Sequence, residues 1–569
     1  MAGETFALGL DFGTESARAL VVDLATGEEL GTAVKEYSHG VIDESLPGSG
    51  IPLEPEWALQ HPGDYLEVLK TIVPAALREA GVSPSRVAGV GVDFTSCTVM
   101  PTDADGTPLC LHEDLRDEPN AWPKLWKHHA AAPEAEEMTN VARERQEPFL
   151  ARYGGTISSE WLFPKALQVL REAPHVFSRA AKFIEGGDWL VLQLTGEERR
   201  SACQAGYKAL WDREDGYPSR EYLRAVDPRL PEMLDGKLPP EVHPLGTRAG
   251  QLTPRAAQLT GLPVGTPVAV AVIDAHVAAP AAGVVAPGQM LMIMGTSLCH
   301  LALHERKLPV TGVAGVVADG IIPGFYGYEA GQAAVGDLFA WYVKNGVPAS
   351  FDREASAQSK TVYALLEERA AQLKPGATGL IALDWWNGNR SVLMDASLSG
   401  LLLGCTLDTR PEEVYRALME ATAFGTRLIV ETLEAQGISA REVLACGGLA
   451  ERNPLLMQIF ADVLNREIRV ARSSQACALG AAMWGAVAAG REHGGYATIQ
   501  EACDHMAGLR DEAYRPTEAS TTVYNELYAE YVRLHDHFGR GGTDVMRRLR
   551  AIRGRAASMA NNGPHSKGA

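Results

Sequence analysis

At 569 residues the chain is longer than one hydrophobic core usually serves, so two or more domains are expected. Its 46% hydrophobic and 22% charged residues are those of a globular protein, and a net charge of −19 argues against nucleic acid or an anionic membrane as the main partner. Small anionic ligands stay open, because local N–H groups, a metal or one lysine can offset the surrounding field. The eight cysteines are scattered without a C-x-x-C pair, which points to reduced thiols in a cytoplasmic protein rather than to a disulfide framework or a cysteine zinc site. The N-terminus runs into a strand pattern without the basic region and apolar core of a signal peptide. The most apolar stretch, 264–294, is broken by Asp274, His276, Pro280 and Pro287 and reads as buried strands and a helix, not a membrane span.

Residues 8–23 (LGLDFGTESARALVVD) read as strand, tight turn, strand, with apolar runs at 8–10 and 19–22. Gly13 frees the turn to approach a ligand. Thr14 and Ser16 offer hydroxyls, and Asp11 brings a carboxylate suited to a hydrated divalent cation to the end of the first strand. A third strand is expected at 32–37, a loop rich in Gly, Pro and acid at 38–56, and a helix over 62–80 that stops near Gly81. Residues 87–93 form a buried strand, and a further strand runs to Met100. Residues 111–165, polar and rich in Trp, have the character of a cap inserted on the core. Helical spacing returns at 166–172, 183–194 passes from strand to helix, and 203–211 (CQAGYKALW) is a small-residue loop carrying Lys208. Helical patterns cover 218–230 and 254–259.

An unbroken apolar strand at 268–273 stops at Asp274 and leads into a small-residue helix that reaches Gly283. Strand 290–294, Gly295-Thr296-Ser297 and strand 298–303 repeat the opening hairpin, with Met294 near the place of Asp11. Two hairpins, one opening each half, indicate a duplicated α/β domain. The second half continues with a helix at 335–343, strands at 379–383 and 401–403, and a long amphipathic helix at 411–436. After a strand at 443–445 comes the turn Cys446-Gly447-Gly448, then a helix at 455–464 opened by Asn453 and Pro454. A strand at 468–470, a small-residue helix at 473–489 and terminal helices at 527–538 and 545–552 complete the pattern. The expected division is a first domain over 1–284, a second over 285–552 and a flexible tail over 553–569.

Each candidate residue has a functional and a structural reading. Asp274 is either a base for a substrate hydroxyl, delivered where open α/β sheets place their ligands, or an N-cap for the helix that follows. Gly295-Thr296-Ser297 is a turn or, as the second copy of the opening hairpin, a phosphate cradle. Gly447-Gly448 with Asn453 is a turn or a place for a flat base to lie against the backbone. Lys208 and Glu329 are solvated charges or the charged hydrogen-bonders of a polyol site. Trp126 packs or stacks on a sugar face. Asn389-Arg390-Ser391 matches a glycosylation sequon, which has no meaning without secretion. G-x-x-x-x-G-K-[S/T], H-E-x-x-H and the protein-kinase motif set are all absent.

In this order, from about Phe6 to Ala489, GLDFGTESARALVVD, GVDFTSCTVMPTDADG, VAVAVIDAHVAAPAAG, IMGTSLCHLAL, CGGLAERNPLLMQ and SSQACALGAAMWG resemble the FGGY carbohydrate kinases. The resemblance implies an α/β fold of two ribonuclease-H-like domains, as in actin and hexokinase, with ATP in the cleft between them. It implies that Asp11 helps hold Mg²⁺, Thr14 faces the phosphates, Gly295 and Thr296 approach the γ-phosphate, and Gly336 lies near the nucleotide. It assigns Gly447, Gly448 and Asn453 to the adenosine pocket, makes Asp274 the general base, and gives sugar binding to Ser96, Lys208, Asp274, Glu329 and Trp126. Within the family, RYGGTISSEWLFPK, FIEGGDWLVLQLTG and CQAGYKALW are worded most like the bacterial enzymes of L-arabinose catabolism that phosphorylate L-ribulose at its 5-position. D-ribulose and D-xylulose are the alternative acceptors. Ser96-Cys97 stands where glycerol kinases have an Arg-Glu pair, which argues against glycerol. The competing reading is an ATP-driven switch of the same fold, which needs neither a general base nor a polyol pocket. Neither nucleic acid nor membrane is implied as a partner, and a homodimer is left open.

Overall fold

The computed structural model describes residues 5–561. The first half is built on seven strands: β1 (Phe6–Phe12), β2 (Ser16–Asp23), β3 (Glu29–Glu36), β4 (Val87–Phe94), β5 (Arg248–Gln251), β6 (Pro267–Ala269) and β7 (Val272–Ile273). Their order is β3-β2-β1-β4-β6-β5, and β7 also pairs with β4. β1, β2 and β3 are antiparallel, whereas β4 runs parallel to β1, and β6 and β7 run parallel to β4. β1 and β4 are almost wholly buried, which is why both are near-continuous apolar runs and not alternating ones.

The second sheet holds β8 (Gly288–Met294), β9 (Leu298–His304), β10 (Gly315–Ala318), β11 (Tyr326–Gln332), β12 (Ala440–Cys446), β13 (Ile468–Ala471) and β14 (Leu509–Tyr514), in the order β10-β11-β9-β8-β12-β13-β14. Its central run β11-β9-β8-β12-β13 has the topology of β3-β2-β1-β4-β6: three antiparallel strands, then two parallel neighbours. The duplication read from two hairpins therefore extends to whole sheets. The two turns close alike, Gly13 N–H on the Ser16 carbonyl at 2.9 Å and Gly295 N–H on the Ser297 carbonyl at 3.0 Å. Counting back from the two glycines makes Ile293, not Met294, the counterpart of Asp11. The register agrees, since Asp11 faces Asp93 as Ile293 faces Cys446.

Four helices matter to the site: α1 (Pro62–Ala80), α2 (Ala202–Lys208), α3 (Asp274–Ala281) and α4 (Ala476–Ala489). α4 comes late in the chain but lies on the first sheet, against β1, β4 and α3. Its backbone touches the sheet directly: a Cβ on Gly91 would fall 1.7 Å from the Ala481 carbonyl oxygen, so only glycine fits. This explains the small-residue composition of α4, buried on nearly every side. The core around it takes in Leu8, Val92 and Trp484 together with Leu291, Leu301 and Leu444 of the second sheet, so the two halves meet through continuous apolar packing. A second core fills the far side of the second sheet, and a third draws on residues between Ile42 and Leu238, including Trp122, Tyr153 and Phe163.

Several local expectations change. CQAGYKALW is helical up to Lys208, and only its last three residues are loop. Ser201 accepts the N–H of Cys203 and caps α2, which ends at Lys208. The apolar run 268–273 is two short strands, interrupted at Val270 and Ala271, because β6 and β7 pair separately with β4. β3 begins three residues before the expected strand, and β5, β10 and β14 carry no apolar run strong enough to be read. The C-terminal helix Val545–Asn561 extends well past 552, so 553–561 is helical, and the rest of the expected tail lies outside the described residues. Among the described residues no helix is long and apolar enough to cross a membrane.

Candidate active site

Three parallel strands of the first sheet end in carboxylates at one edge. Asp11 and Asp93 are the next-to-last residues of β1 and β4 and face each other in register, and Asp274 follows β7 directly. This is the carboxyl end of the sheet, where open α/β sheets bind ligands. Asp93 is completely buried, and the one group within hydrogen-bonding reach of its carboxyl is the Asp11 carboxyl beside it. Burial, followed by the charges of Asp11 and Asp274, pushes it well above the usual carboxylate range. Burial also raises Asp11, partly offset by Arg18 at 3.8 Å. Two carboxyl groups close enough to share a proton, with no other donor on the buried one, are a donor set that fits a hard divalent cation such as Mg²⁺.

Asp274 is the first residue of α3, and the capping position is Ile273. Its carboxylate accepts only the adjoining Ala275 N–H, at 2.7 Å, so the N-cap reading fails. Burial pushes its carboxyl up to about 7, with the Ala275 N–H opposing, Asp11 adding to the rise and Lys208 reducing it.

Beside these carboxyls sits a buried ionic cluster centred on Glu329 of β11. Its Oε2 lies 3.4 Å from Lys208 Nζ at the end of α2 and 3.3 Å from Nε2 of His276 on α3, and its Oε1 lies 2.5 Å from the Arg390 guanidinium. Burial alone would raise Glu329, but Lys208, Arg390 and His276 hold it well below the ordinary value. Lys208 is likewise held above its ordinary value by Glu329, against its own burial. The solvated reading of both residues is thus excluded: Glu329 is 2% exposed and Lys208 5%. His276 packs on the ring of Tyr207, with centroids 4.3 Å apart. Ser96 is half-buried next to Cys97, whose thiol lies within electrostatic reach of Lys208. Trp126 is also half-buried, but its indole N–H donates to the Thr14 hydroxyl at 3.0 Å.

The glycines expected around the nucleotide gather at the second hairpin. Gly336 N–H donates to the Gly295 carbonyl at 3.1 Å and Val335 N–H to that of Thr296 at 2.9 Å. A Cβ on Gly336 would come 2.7 Å from the Gly295 oxygen. Gly447, at φ 93°, packs on Met294 in the same way, and the Arg452 side chain folds over Gly448. Asn453 uses Oδ1 to cap the helix Pro454–Leu464, accepting the Leu456 N–H at 2.8 Å. The two halves of the site meet at Cys477 near the start of α4, which lies within electrostatic reach of Asp11, Asp93, Asp274 and Cys446.

The structure thus brings Asp11 near Asp274 and joins Lys208 to Glu329, Thr14 to Trp126, and Gly295 and Thr296 to Gly336, with Gly447 on the adjoining Met294. It adds Asp93, His276 and Arg390. Asp93 has the signal of Asp11, an apolar strand ending in one acid. Arg390 gives no local signal, because its partner is distant in sequence.

Residues 6–280 match the N-terminal domain, and residues 290–489 the C-terminal domain, of the FGGY family of carbohydrate kinases. The chain is 55% identical over 548 residues to a ribulokinase of Geobacillus thermodenitrificans, covering 96% of this chain and 97% of the relative. It is 48% identical over 553 residues to a ribulokinase of Mycolicibacterium smegmatis, covering 97% of each. Among solved structures, a xylulose kinase from Rhodospirillum rubrum superposes with a TM-score of 0.76 at 24% identity, over 93% of this chain and 98% of that one. A glycerol kinase from Plasmodium falciparum superposes with a TM-score of 0.73 at 15% identity, again over 93% and 98%. With both halves matched and the relatives aligned nearly end to end, the chain belongs to the FGGY family of carbohydrate kinases.

Proposed function

We propose that the chain transfers the γ-phosphoryl group of ATP to the 5-hydroxyl of L-ribulose, with Asp274 as general base. The observation that carries this reading is the juxtaposition of Asp274, raised to about 7, with the buried cluster of Glu329, Lys208, His276 and Arg390. A base near neutrality suits proton removal from an alcohol. An ionised, buried donor–acceptor cluster suits a polyhydroxylated substrate, whose hydroxyls donate to Glu329 and accept from Lys208. The near-full-length relatives named ribulokinase support the ketopentose over other acceptors.

In this mechanism the substrate hydroxyl gives its proton to Asp274 as its oxygen bonds to the γ-phosphorus. The bond from that phosphorus to the bridging oxygen breaks, and ADP leaves. Asp11 and Asp93 are the residues that would hold Mg²⁺, which supplies neutralisation of phosphate charge when bound. The backbone N–H groups at the Gly13 and Gly295 turns orient the phosphates, and the Glu329 cluster orients the sugar. Such a reaction depends mainly on positioning and electrostatics, which is consistent with an absence of covalent chemistry among these side chains.

The test is ADP release with Mg-ATP across L-ribulose, D-ribulose, D-xylulose, pentitols and glycerol. L-ribulose is expected to give the highest kcat/KM. ADP release that no sugar stimulates would overturn the kinase reading in favour of a switch, and a preference for D-xylulose would overturn the substrate.

A further inference from the structure

Behind the first hairpin, two histidines and an aspartate converge from two segments. His39 follows β3, His61 immediately precedes α1, and Asp64 lies in its first turn. One ligand atom from each falls within 4.8 Å of the other two. The Asp64 carboxylate, its side chain only 8% exposed, lies 2.9 Å from His39 Nδ1 and 4.0 Å from His61 Nδ1. The two imidazoles stack with centroids 4.3 Å apart and planes 13° from parallel, so both present an edge nitrogen to the same oxygen. Trp122 closes edge-on against His61, while the 37%-exposed His39 leaves an approach from solvent.

We propose that His39, His61 and Asp64 bind one divalent cation of the Zn²⁺ class, with water completing the coordination. Two imidazole nitrogens and one carboxylate oxygen are a donor set for a borderline-soft ion, whereas Mg²⁺ and Ca²⁺ select oxygen. His61 Nδ1 is the unprotonated nitrogen, since it accepts the Gly63 N–H at 3.0 Å, and coordination through it would exchange that helix-capping hydrogen bond for the metal. Burial and the neighbouring His39 hold the His61 imidazole below its usual value, which favours the neutral ring a metal needs.

The site also stands on the struts of the first hairpin. Tyr37, two residues before His39, donates its hydroxyl to the Gly13 carbonyl at 3.1 Å. Gln60, next to His61, donates to the Thr14 carbonyl at 2.7 Å, and Tyr65, next to Asp64, donates to Gln60 at 2.6 Å. An ion joining the three ligands would therefore fix all three supports of the Gly13-Thr14 turn.

The experiment titrates the chelator-treated full chain with Co²⁺, followed by its visible d–d absorption, then with competing Zn²⁺ and Mg²⁺. One Co²⁺ per chain is expected, displaced by Zn²⁺ and unaffected by excess Mg²⁺. His39→Gln keeps an N–H toward Asp64 but removes the ligand nitrogen, and is expected to weaken binding more than about tenfold. Cys405→Ser, which removes an exposed thiol, leaves binding unchanged. As a second readout, Zn²⁺ raises the Tm of the wild-type chain and not that of His39→Gln. The site is overturned if no stoichiometric ion binds, if His39→Gln binds as tightly as wild type, or if Mg²⁺ displaces the Co²⁺.

Discussion

Trp126 donates its indole N–H to the Thr14 hydroxyl across 3.0 Å, joining a residue of the Trp-rich insertion to the turn of the first hairpin. The same turn is held from below, where Gln60 donates to the Thr14 carbonyl. Thr14 is thus fixed through both its side chain and its backbone. Trp126 therefore bears directly on the turn of the first hairpin.

Trp126→Phe keeps the ring and removes the donor. A neutral hydrogen bond contributes about 0.5–1.5 kcal/mol, so kcat or the KM for ATP should change by roughly 2–13-fold. The KM for L-ribulose should move much less. Steady-state kinetics with each substrate varied in turn decides the matter, and a rise confined to the sugar KM would return Trp126 to the sugar pocket.

Asp274 must be ionised to accept a proton. Its carboxyl is raised to about 7, so kcat/KM should fall with decreasing pH below about 7, on the limb that reports the free enzyme. Asp274→Asn should lower kcat by roughly 10²–10⁴-fold while ATP still binds. An acid limb centred near the ordinary value of about 4, or near-normal turnover in the variant, would refute the assignment.

Much of this arrangement is legible in the chain, and its limits have physical causes. Asp11 and Asp274 stand out because each ends an apolar run, and the hairpin repeat stands out because a strand-turn-strand is a local event. Asp93 ends an apolar run as well, but a search for copies of the hairpin passes over it. Lys208 and Glu329 can be picked out as isolated charges. Their pairing cannot, since it depends on packing across 121 residues of sequence. Arg390 sits in a matched sequon, Asn389-Arg390-Ser391, and shows its role only once its loop is folded against Glu329. α2 is misread because small residues around Gly206 weaken the helical signal. The Ser201 cap and burial override that weakness.

Asp93→Asn should stabilise the fold and impair the enzyme. The folded-state value of Asp93 lies above its unfolded value of about 4. Its contribution is therefore fully present below about 4 and is lost as pH rises toward the folded value, because ionising a fully buried carboxyl is costly. An amide escapes that loss. Calorimetry should show the variant melting above wild type at pH 8, with the difference shrinking at pH 5. If Asp93 helps hold the cation, the apparent affinity for Mg²⁺ in turnover should fall at the same time. An unchanged Tm difference between the two pH values would mean that Asp93 is not raised above its unfolded value in the fold.

Lys208 and Glu329 form a buried ion pair, and its structural role can be separated from the proposed binding role. Lys208→Ala removes a charged hydrogen-bonder, an interaction worth about 1.5–3 kcal/mol, so the sugar KM should rise roughly 10–150-fold with little change in the ATP KM. Equal effects on both KM values would move Lys208 out of the sugar site. Glu329→Gln leaves the buried Lys208 without its counter-charge and the partly exposed Arg390 without its partner, and breaking such a buried pair typically costs about 3–5 kcal/mol of stability. Combining it with Lys208→Met removes one of the stranded charges, so urea unfolding should show the double variant more stable than Glu329→Gln alone. Sugar binding should not recover with it, because no acceptor or donor has been restored. Recovery of both together would make the cluster a purely structural ion pair, and recovery of neither would place the cost of Glu329→Gln on Arg390.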